Sequence, residues 1–138
     1  MFTAGRAKYL DRGAQTAEGS AKIFVRIEPE GFGGSVLAQL DTGAAWSVLN
    51  AEIAEALGLI GRDGEQISIG TRDGVVEGRL EDVTLTILAE DGESIVVNAR
   101  VFVSQEWTGQ TFLGYMGLLE RVRFAVDPQA NDFYFGGY

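Results

Sequence analysis

The segment Asp41–Ala44 is the feature that most limits how this chain can fold, because it sets a carboxylate and a glycine between two largely apolar runs. Asp, Thr and Gly all favour turns, and a surface turn is normally flanked by alternating polar residues. Here the flanks are mostly apolar, at 36–40 before the turn and at 44–49 after it. An unpaired buried charge is costly, so a buried turn that carries an Asp is uncommon. The pattern therefore predicts a carboxylate held at the end of a buried strand and open to a cleft.

A second apolar strand that ends in glycine, at 112–114, follows about seventy residues later. The sequence after each glycine turn looks helical: Ala51–Leu57 in the first case and roughly Tyr115–Arg121 in the second. Asn50 is a suitable N-cap for the first helix, and Gly58 a suitable stop. The repeated order of strand, glycine turn and short helix indicates a degenerate internal duplication.

These two elements resemble the active-site motifs of the retropepsin-like aspartic protease family, and the resemblance covers the chain from about Ile23 onward. It implies an all-β fold, a closed β-barrel or sandwich with a flap hairpin and one or two short helices. Asp41 would be the catalytic residue. The resemblance also assigns an active-site loop, in which Thr42 bonds to a partner chain, Gly43 lies beside the substrate backbone and Ala44 forms part of the pocket wall. The second-half structural motif would be Phe112, Leu113 and Gly114.

The sequence departs from the viral members of that family at two places. Ala45 and Trp46 stand where polar or acidic residues often bind the substrate backbone, so viral-like peptide specificity is not implied. Tyr115 follows Gly114 where many viral members have an arginine, so an interface network built on that arginine is not implied either.

A polar tip at 70–74 lies between two strand-like segments of the stretch Glu65–Leu80, and Asp-Gly within it is a strong hairpin signal. By position the resemblance makes this hairpin the flap that closes over bound peptide, and a plain surface hairpin is the alternative. The residues assigned to the site from this hairpin are Gly70, Thr71 and Gly74.

Alternating apolar residues predict further strands at 21–27 and in a second hairpin, 83–88 with 95–103. The segments 124–126 and 133–135 are expected to pair across a turn. The aromatic C-terminus suits either a sheet shared with a second chain or a core-facing edge strand. We expect residues 1–20 to be an N-terminal tail and residues 21–138 to be one folded domain.

Histidine and cysteine are both absent from the 138 residues. The chain therefore cannot carry a Ser-His-Asp triad, a Cys-His dyad, or zinc held by His or Cys. If the protein is a hydrolase, carboxylates must perform the chemistry, and we expect neither a metal nor a cofactor.

The formal net charge is −9 and the sequence pI is near 4.4. Nucleic acid and anionic membranes are poor partners for such a surface, because both attract positively charged proteins. No apolar run is long enough for a membrane span, and residues 1–8 lack the apolar run of a signal peptide. We expect a cytoplasmic protein.

The leading hypothesis is a homodimeric aspartic endopeptidase that binds peptide or protein substrate. Two Asp41 carboxylates, one from each chain, would share a proton and activate a water, and activity should fall as pH rises and both carboxylates ionise. A non-catalytic binding or dimerisation module on the same fold is the alternative, since a fold does not guarantee activity. A carboxylate-based glycosidase is disfavoured because the chain has no distinctive second acid. Other acidic residues, such as Asp63, Asp73 and Asp127, lie in turn-like segments and are interpreted as structural or solvated.

Overall fold

The structure, a computed structural model, describes residues 4–11, 22–71 and 73–138. These residues form mainly strands, with one α-helix, α1 (Ala51–Ala56), and one turn of 3₁₀ helix (Leu119–Arg121). The strands are β1 (Gly5–Lys8), β2 (Leu10–Asp11), β3 (Ile23–Pro29), β4 (Val36–Leu40), β5 (Ser47–Val48), β6 (Ile67–Thr71), β7 (Gly74–Ile87), β8 (Asp91–Gly92), β9 (Ile95–Val103), β10 (Phe112–Leu113), β11 (Arg123–Asp127) and β12 (Asp132–Gly136).

Six of these strands close into a barrel. The order of hydrogen-bonded neighbours is β3-β4-β10-β5-β9-β7, and the end of β7 returns to pair with β3. Closure removes the free edges that an open sheet would expose. Two further strands extend from the barrel, because β2 pairs with β3 and β6 pairs with β7. The expected all-β fold with a closed barrel is confirmed.

The hairpin of β7 and β9 forms the longest part of the barrel wall. Its register places Val83 opposite Ala99 and Leu85 opposite Val97, and all four side chains are buried. The residues between them are exposed or half-buried, which is the alternation expected of a sheet with one solvated face. This second predicted hairpin is confirmed.

Helix α1 begins and ends as the sequence predicts. The Asn50 side chain accepts a hydrogen bond from the N–H of Glu52 at 2.8 Å, so it satisfies a donor that the first turn leaves free. Gly58 has a φ of +72° and ends the helix in the left-handed conformation.

The second predicted helix, Tyr115–Arg121, is wrong for most of its length. Only the 3₁₀ turn remains, and Met116 instead forms a parallel bridge with Trp46. The physical reason is Gly117, whose φ of +82° is incompatible with a right-handed helix.

A second sheet, in the order β11-β12-β1-β8, packs the C-terminal hairpin against the N-terminal strand. The predicted pairing across the turn is confirmed, with Phe124 opposite Phe135. The expectation that the aromatic segment is an edge strand is wrong, because β1 covers the other side of β12 and leaves Phe133 and Phe135 fully buried. A sheet shared with a second chain stays a prediction.

The N-terminal strands belong to this folded unit, although residues 1–20 were expected to form a tail. Strand β1 pairs with both β12 and β8, and β2 pairs with β3. At Gly5 an added Cβ would collide with the carbonyl oxygen of Glu93 and lie 2.9 Å from the ring of Phe135. Strand β1 therefore fits a slot that has no room for a side chain there. Residues 12–20 of the expected tail lie outside the described residues.

An ion-pair network centred on Asp132 ties β1 to its neighbours. The Asp132 side chain is 8% exposed, and its Oδ1 lies 2.8 Å from Lys8 Nζ and 3.0 Å from Arg6 Nη1. Arg6 also reaches Asp91 on β8 at 3.0 Å. The hydrogen bond from Lys8 is the main cause that lowers the pKa of Asp132, and the bond from Arg6 and both positive charges add to it, while burial acts in the opposite direction.

The substitution Asp132→Asn should lower the Tm at neutral pH, and the Tm of the variant should change less than that of the native chain as the pH falls. Because the folded-state pKa lies below the unfolded value of about 3.9, the charge stabilises the fold above that value. The stabilisation is lost as the pH falls through the folded-state pKa. Circular dichroism melts from pH 2 to 7 should show a Tm difference that narrows on acidification. The exposed Asp63→Asn is the control, and a difference independent of pH would contradict the expectation.

Candidate active site

Strand β10 lies between the two strands that flank the Asp41 loop. It runs parallel to β4, with Leu113 opposite Leu40, and antiparallel to β5, with Phe112 opposite Val48. The loop of residues 41–46 therefore passes over the end of β10. In this way the fold brings the second apolar-glycine element directly to the Asp41 turn.

Asp41 is fixed by its own backbone and by the loop that follows. Its N–H donates to the carbonyl oxygen of Leu113 at 3.0 Å, which continues the β4–β10 pairing by one residue. Its Oδ1 accepts from the N–H of Gly43 at 3.0 Å, and its carbonyl accepts from the N–H of Ala44 at 3.2 Å. Such a local turn holds the carboxylate by one oxygen. Oδ2 has no hydrogen-bond partner among the described residues.

The Gly114 backbone packs directly under the Asp41 loop. An added Cβ at Gly114 would collide with the backbone carbonyl of Trp46 and lie 2.8 Å from the nitrogen of Ser47. The Gly114 N–H donates to Ser47 Oγ at 2.8 Å, and Ser47 is 1% exposed. Glycine is required at this position because only a bare backbone fits.

Two backbone hydrogen bonds extend this contact. The N–H of Tyr115 donates to the carbonyl of Ala44 at 2.9 Å, and the N–H of Met116 donates to the carbonyl of Ala45 at 2.8 Å. Together with the Ser47 hydroxyl they hold the two loops in one rigid unit. Sequence reasoning missed the role of Ser47, and the available signal was a small polar residue inside an apolar run.

The outer face of this unit is open to solvent. Thr42 and Gly43 are exposed, while Asp41 and Ala44 are half-buried. Tyr115 and Met116 beside them are 53% and 43% exposed, although both are large apolar side chains. Asp41 is thus partly open to solvent, and apolar surface adjoins it. That its carboxylate faces a cleft stays a prediction.

The β6–β7 hairpin carries the other predicted site residues at its tip. Gly70 and Thr71 end β6, and Gly74, with a φ of +125°, begins β7. Thr71 Oγ1 donates to the carbonyl of Gly74 at 2.7 Å and accepts from the N–H of Asp73 at 3.3 Å. The predicted hairpin is confirmed. In the described part of the chain no hydrogen bond joins its tip to the Asp41 loop, so its role as a flap stays a prediction.

Across residues 4–11, 22–71 and 73–138, no group of three or more acidic side chains is placed to hold a metal ion. In the same ranges no helix has the length and apolar character needed to cross a membrane.

The close fit at Gly114 leads to a stability prediction. Gly114→Ala should cost about 3 kcal/mol or more of unfolding free energy, because the new methyl group must displace backbone atoms of the Asp41 loop. Gly70→Ala is the matched control, since its Cβ would meet nothing within 4 Å and its φ is not positive. Urea unfolding measures both variants, and equal losses in the two would show that the loop can yield at Gly114.

No family model matches the sequence, and no curated protein matches it either. A solved structure does match the fold: the crystal structure of a retropepsin-like aspartic protease from Rickettsia conorii is similar at a TM-score of 0.61 and 20% sequence identity. The similarity covers 94% of this chain and 98% of that one. Identity this low supports a statement about architecture and not about activity. The chain has the retropepsin-like all-β fold.

Proposed function

We propose that this protein is a homodimeric aspartic endopeptidase in which each chain supplies one Asp41 carboxylate. The observation that carries the proposal is the placement of Asp41: a half-buried carboxylate at the end of β4, anchored through Oδ1 by the Gly43 N–H, with Oδ2 without a partner among the described residues. The fold it shares with a protease of this class agrees with the proposal.

A dimer is required because the chemistry needs two carboxylates that share a proton. Gly114 follows β10 as Asp41 follows the parallel strand β4, and it has no side chain to contribute. A second copy of the chain is therefore the proposed source of the other carboxylate. Thr42, exposed beside Asp41, is proposed to hydrogen-bond to the backbone of that partner.

Hydrolysis then follows from the two carboxyl groups. The ionised one removes a proton from a water molecule, whose oxygen bonds to the scissile carbonyl carbon. The protonated one gives its proton to the carbonyl oxygen, so a neutral gem-diol forms. When the gem-diol collapses, the carbon–nitrogen bond breaks and the nitrogen takes the proton that the first carboxyl group received from water. One hydroxyl of the gem-diol gives its proton to the other carboxylate as the carbonyl forms again, so the pair once more holds one shared proton. No step needs a metal or a cofactor.

The second candidate is a binding or dimerisation module on the same fold. The exposed side chains of Tyr115 and Met116 beside the Asp41 loop favour it, because a binding surface needs apolar area and no chemistry. An accessible, anchored carboxylate has no evident use in such a module, so we place this candidate second.

A peptide library incubated with the protein at mildly acidic and near-neutral pH tests the first proposal. We expect cleavage by the native chain and none by Asp41→Asn, because the amide can neither ionise nor share a proton. Absence of cleavage by a folded native chain would favour the binding module.

Mixed dimers test the sharing of the site. The native chain and Asp41→Asn are unfolded together in equal amounts and refolded. If each site needs both carboxylates, random pairing leaves about half of the native chains in active dimers, so activity per native chain falls to about half. A mixture with folded but unrelated protein is the control. Activity per native chain that stays constant would contradict a shared site.

A further inference from the structure

Strand β7 has two parts with different partners. Residues 74–78 pair only with β6, and from Arg79 onward the strand pairs with β9. The first part of β7 and the whole of β6 therefore form a hairpin that projects beyond the barrel. Its root is the junction between Gly78 and Arg79.

On the β9 side, backbone contacts hold this root tightly. An added Cβ at Gly78 would collide with the carbonyl oxygen of Val103 and lie 2.8 Å from the ring of Phe102. The hydroxyl of Ser104 donates to the carbonyl of Glu77 at 2.6 Å and accepts from the N–H of Glu106 at 3.1 Å. The root cannot shift toward β9.

On the other side a single buried side chain makes the connection. Arg79 is 9% exposed, and its Nη2 donates to the carbonyl of Leu59 at 2.9 Å and to Glu81 Oε1 at 3.1 Å. Leu59 belongs to the segment 57–66 that connects α1 to the hairpin. The guanidinium thus links this connecting segment to the root.

The buried guanidinium of Arg79 is incompletely hydrogen-bonded, which is unfavourable for stability. Among the residues that the structure describes, its buried Nε has no hydrogen-bond partner. Gly64 packs over the side-chain stem, with an added Cβ only 3.1 Å from Arg79 Cδ. A buried charge with incomplete hydrogen bonding is usually less favourable than an apolar side chain of similar size. Packing alone therefore does not account for an arginine at position 79.

Two cavities lie beside the Arg79 side chain, one on each side. One cavity of about 300 Å³ lies between the connecting segment, the hairpin root and the end of β9. A second, of about 240 Å³, lies between the connecting segment and the barrel wall near Arg100. Arg79 lines both cavities, so packed core residues do not enclose its side chain on every side.

We propose that Arg79 is a positioning residue that sets how far the hairpin opens. While its bond to the Leu59 carbonyl persists, the connecting segment holds the hairpin in the position seen here, and Glu81 on the same strand orients the guanidinium. When the bond to Leu59 breaks, the hairpin pivots at Gly78 and admits an extended peptide. The inference rests on the proposed function, because only a protease or peptide-binding site needs such a movement.

Hydrogen exchange of the backbone amides tests the proposal without any need for catalysis. In Arg79→Met we expect exchange in the hairpin, residues 67–71 and 73–78, to rise about ten-fold while β3 and β9 stay unchanged. Arg79→Lys should give an intermediate rise, because an ammonium group can replace part of the guanidinium bonding. Arg100→Met, which removes the ion pair to the exposed Asp82 on the barrel wall at 3.6 Å, is the control and should change the hairpin little.

Peptide cleavage kinetics supply the second measurement. We expect Arg79→Met to raise KM several-fold and to change kcat by less than about two-fold, since the chemistry is untouched and only closure over the substrate weakens. A fall in kcat at constant KM would overturn the proposal. So would unchanged hairpin exchange, or a rise shared equally by β3 and β9. If even the native chain cleaves nothing, the proposed function fails, and the exchange data still decide whether Arg79 restrains the hairpin.

Discussion

The insertion of β10 between β4 and β5 is the contact on which both the barrel and the candidate site depend. Without it, β4 and β5 would have no common neighbour and the six-stranded circuit would stay open. The same two residues, Phe112 and Leu113, place Gly114 under the Asp41 loop and supply the carbonyl that fixes the Asp41 backbone. The closure of the barrel and the geometry of the site therefore depend on one strand of two residues, β10.

Local sequence predicted the local structure well. Asn50 and Gly58 bound the helix as capping rules require, the Asp-Gly turn forms a hairpin, and alternation located the long strands. The strand at 112–113 was predicted, but its place in the sheet, between β4 and β5, had no local signal. Its partners in the sheet are residues far away in the sequence. The same is true of β1, whose short sequence suggested a tail until its partners β8 and β12 were known. The helix predicted after Gly114 failed because one left-handed glycine outweighed the helix propensity of its neighbours.

Glycine recurs at positions where one backbone segment lies very close to another. Gly5 fits β1 beside Glu93, Gly78 fits the hairpin root beside Val103, and Gly114 fits under the backbone of Trp46. At each position a carbonyl group occupies the space that a methyl group would need. In a sequence such glycines cannot be distinguished from those of turns, so the close approach of each of these three glycines to a carbonyl group could not be predicted.

The distance along the chain between β4 and β10 has a consequence for the timing of synthesis. Asp41 leaves the ribosome about seventy residues before the strand that fixes it, and chains grow at about 5 to 20 residues per second. For several seconds the nascent chain carries the carboxylate on an unsupported loop beside an incomplete sheet. A polypeptide that lacks β10 cannot hold the Asp41 carboxylate in the position that it has in the folded chain. The order of the strands therefore delays the contacts that fix the Asp41 loop until residues 112–116 have been made.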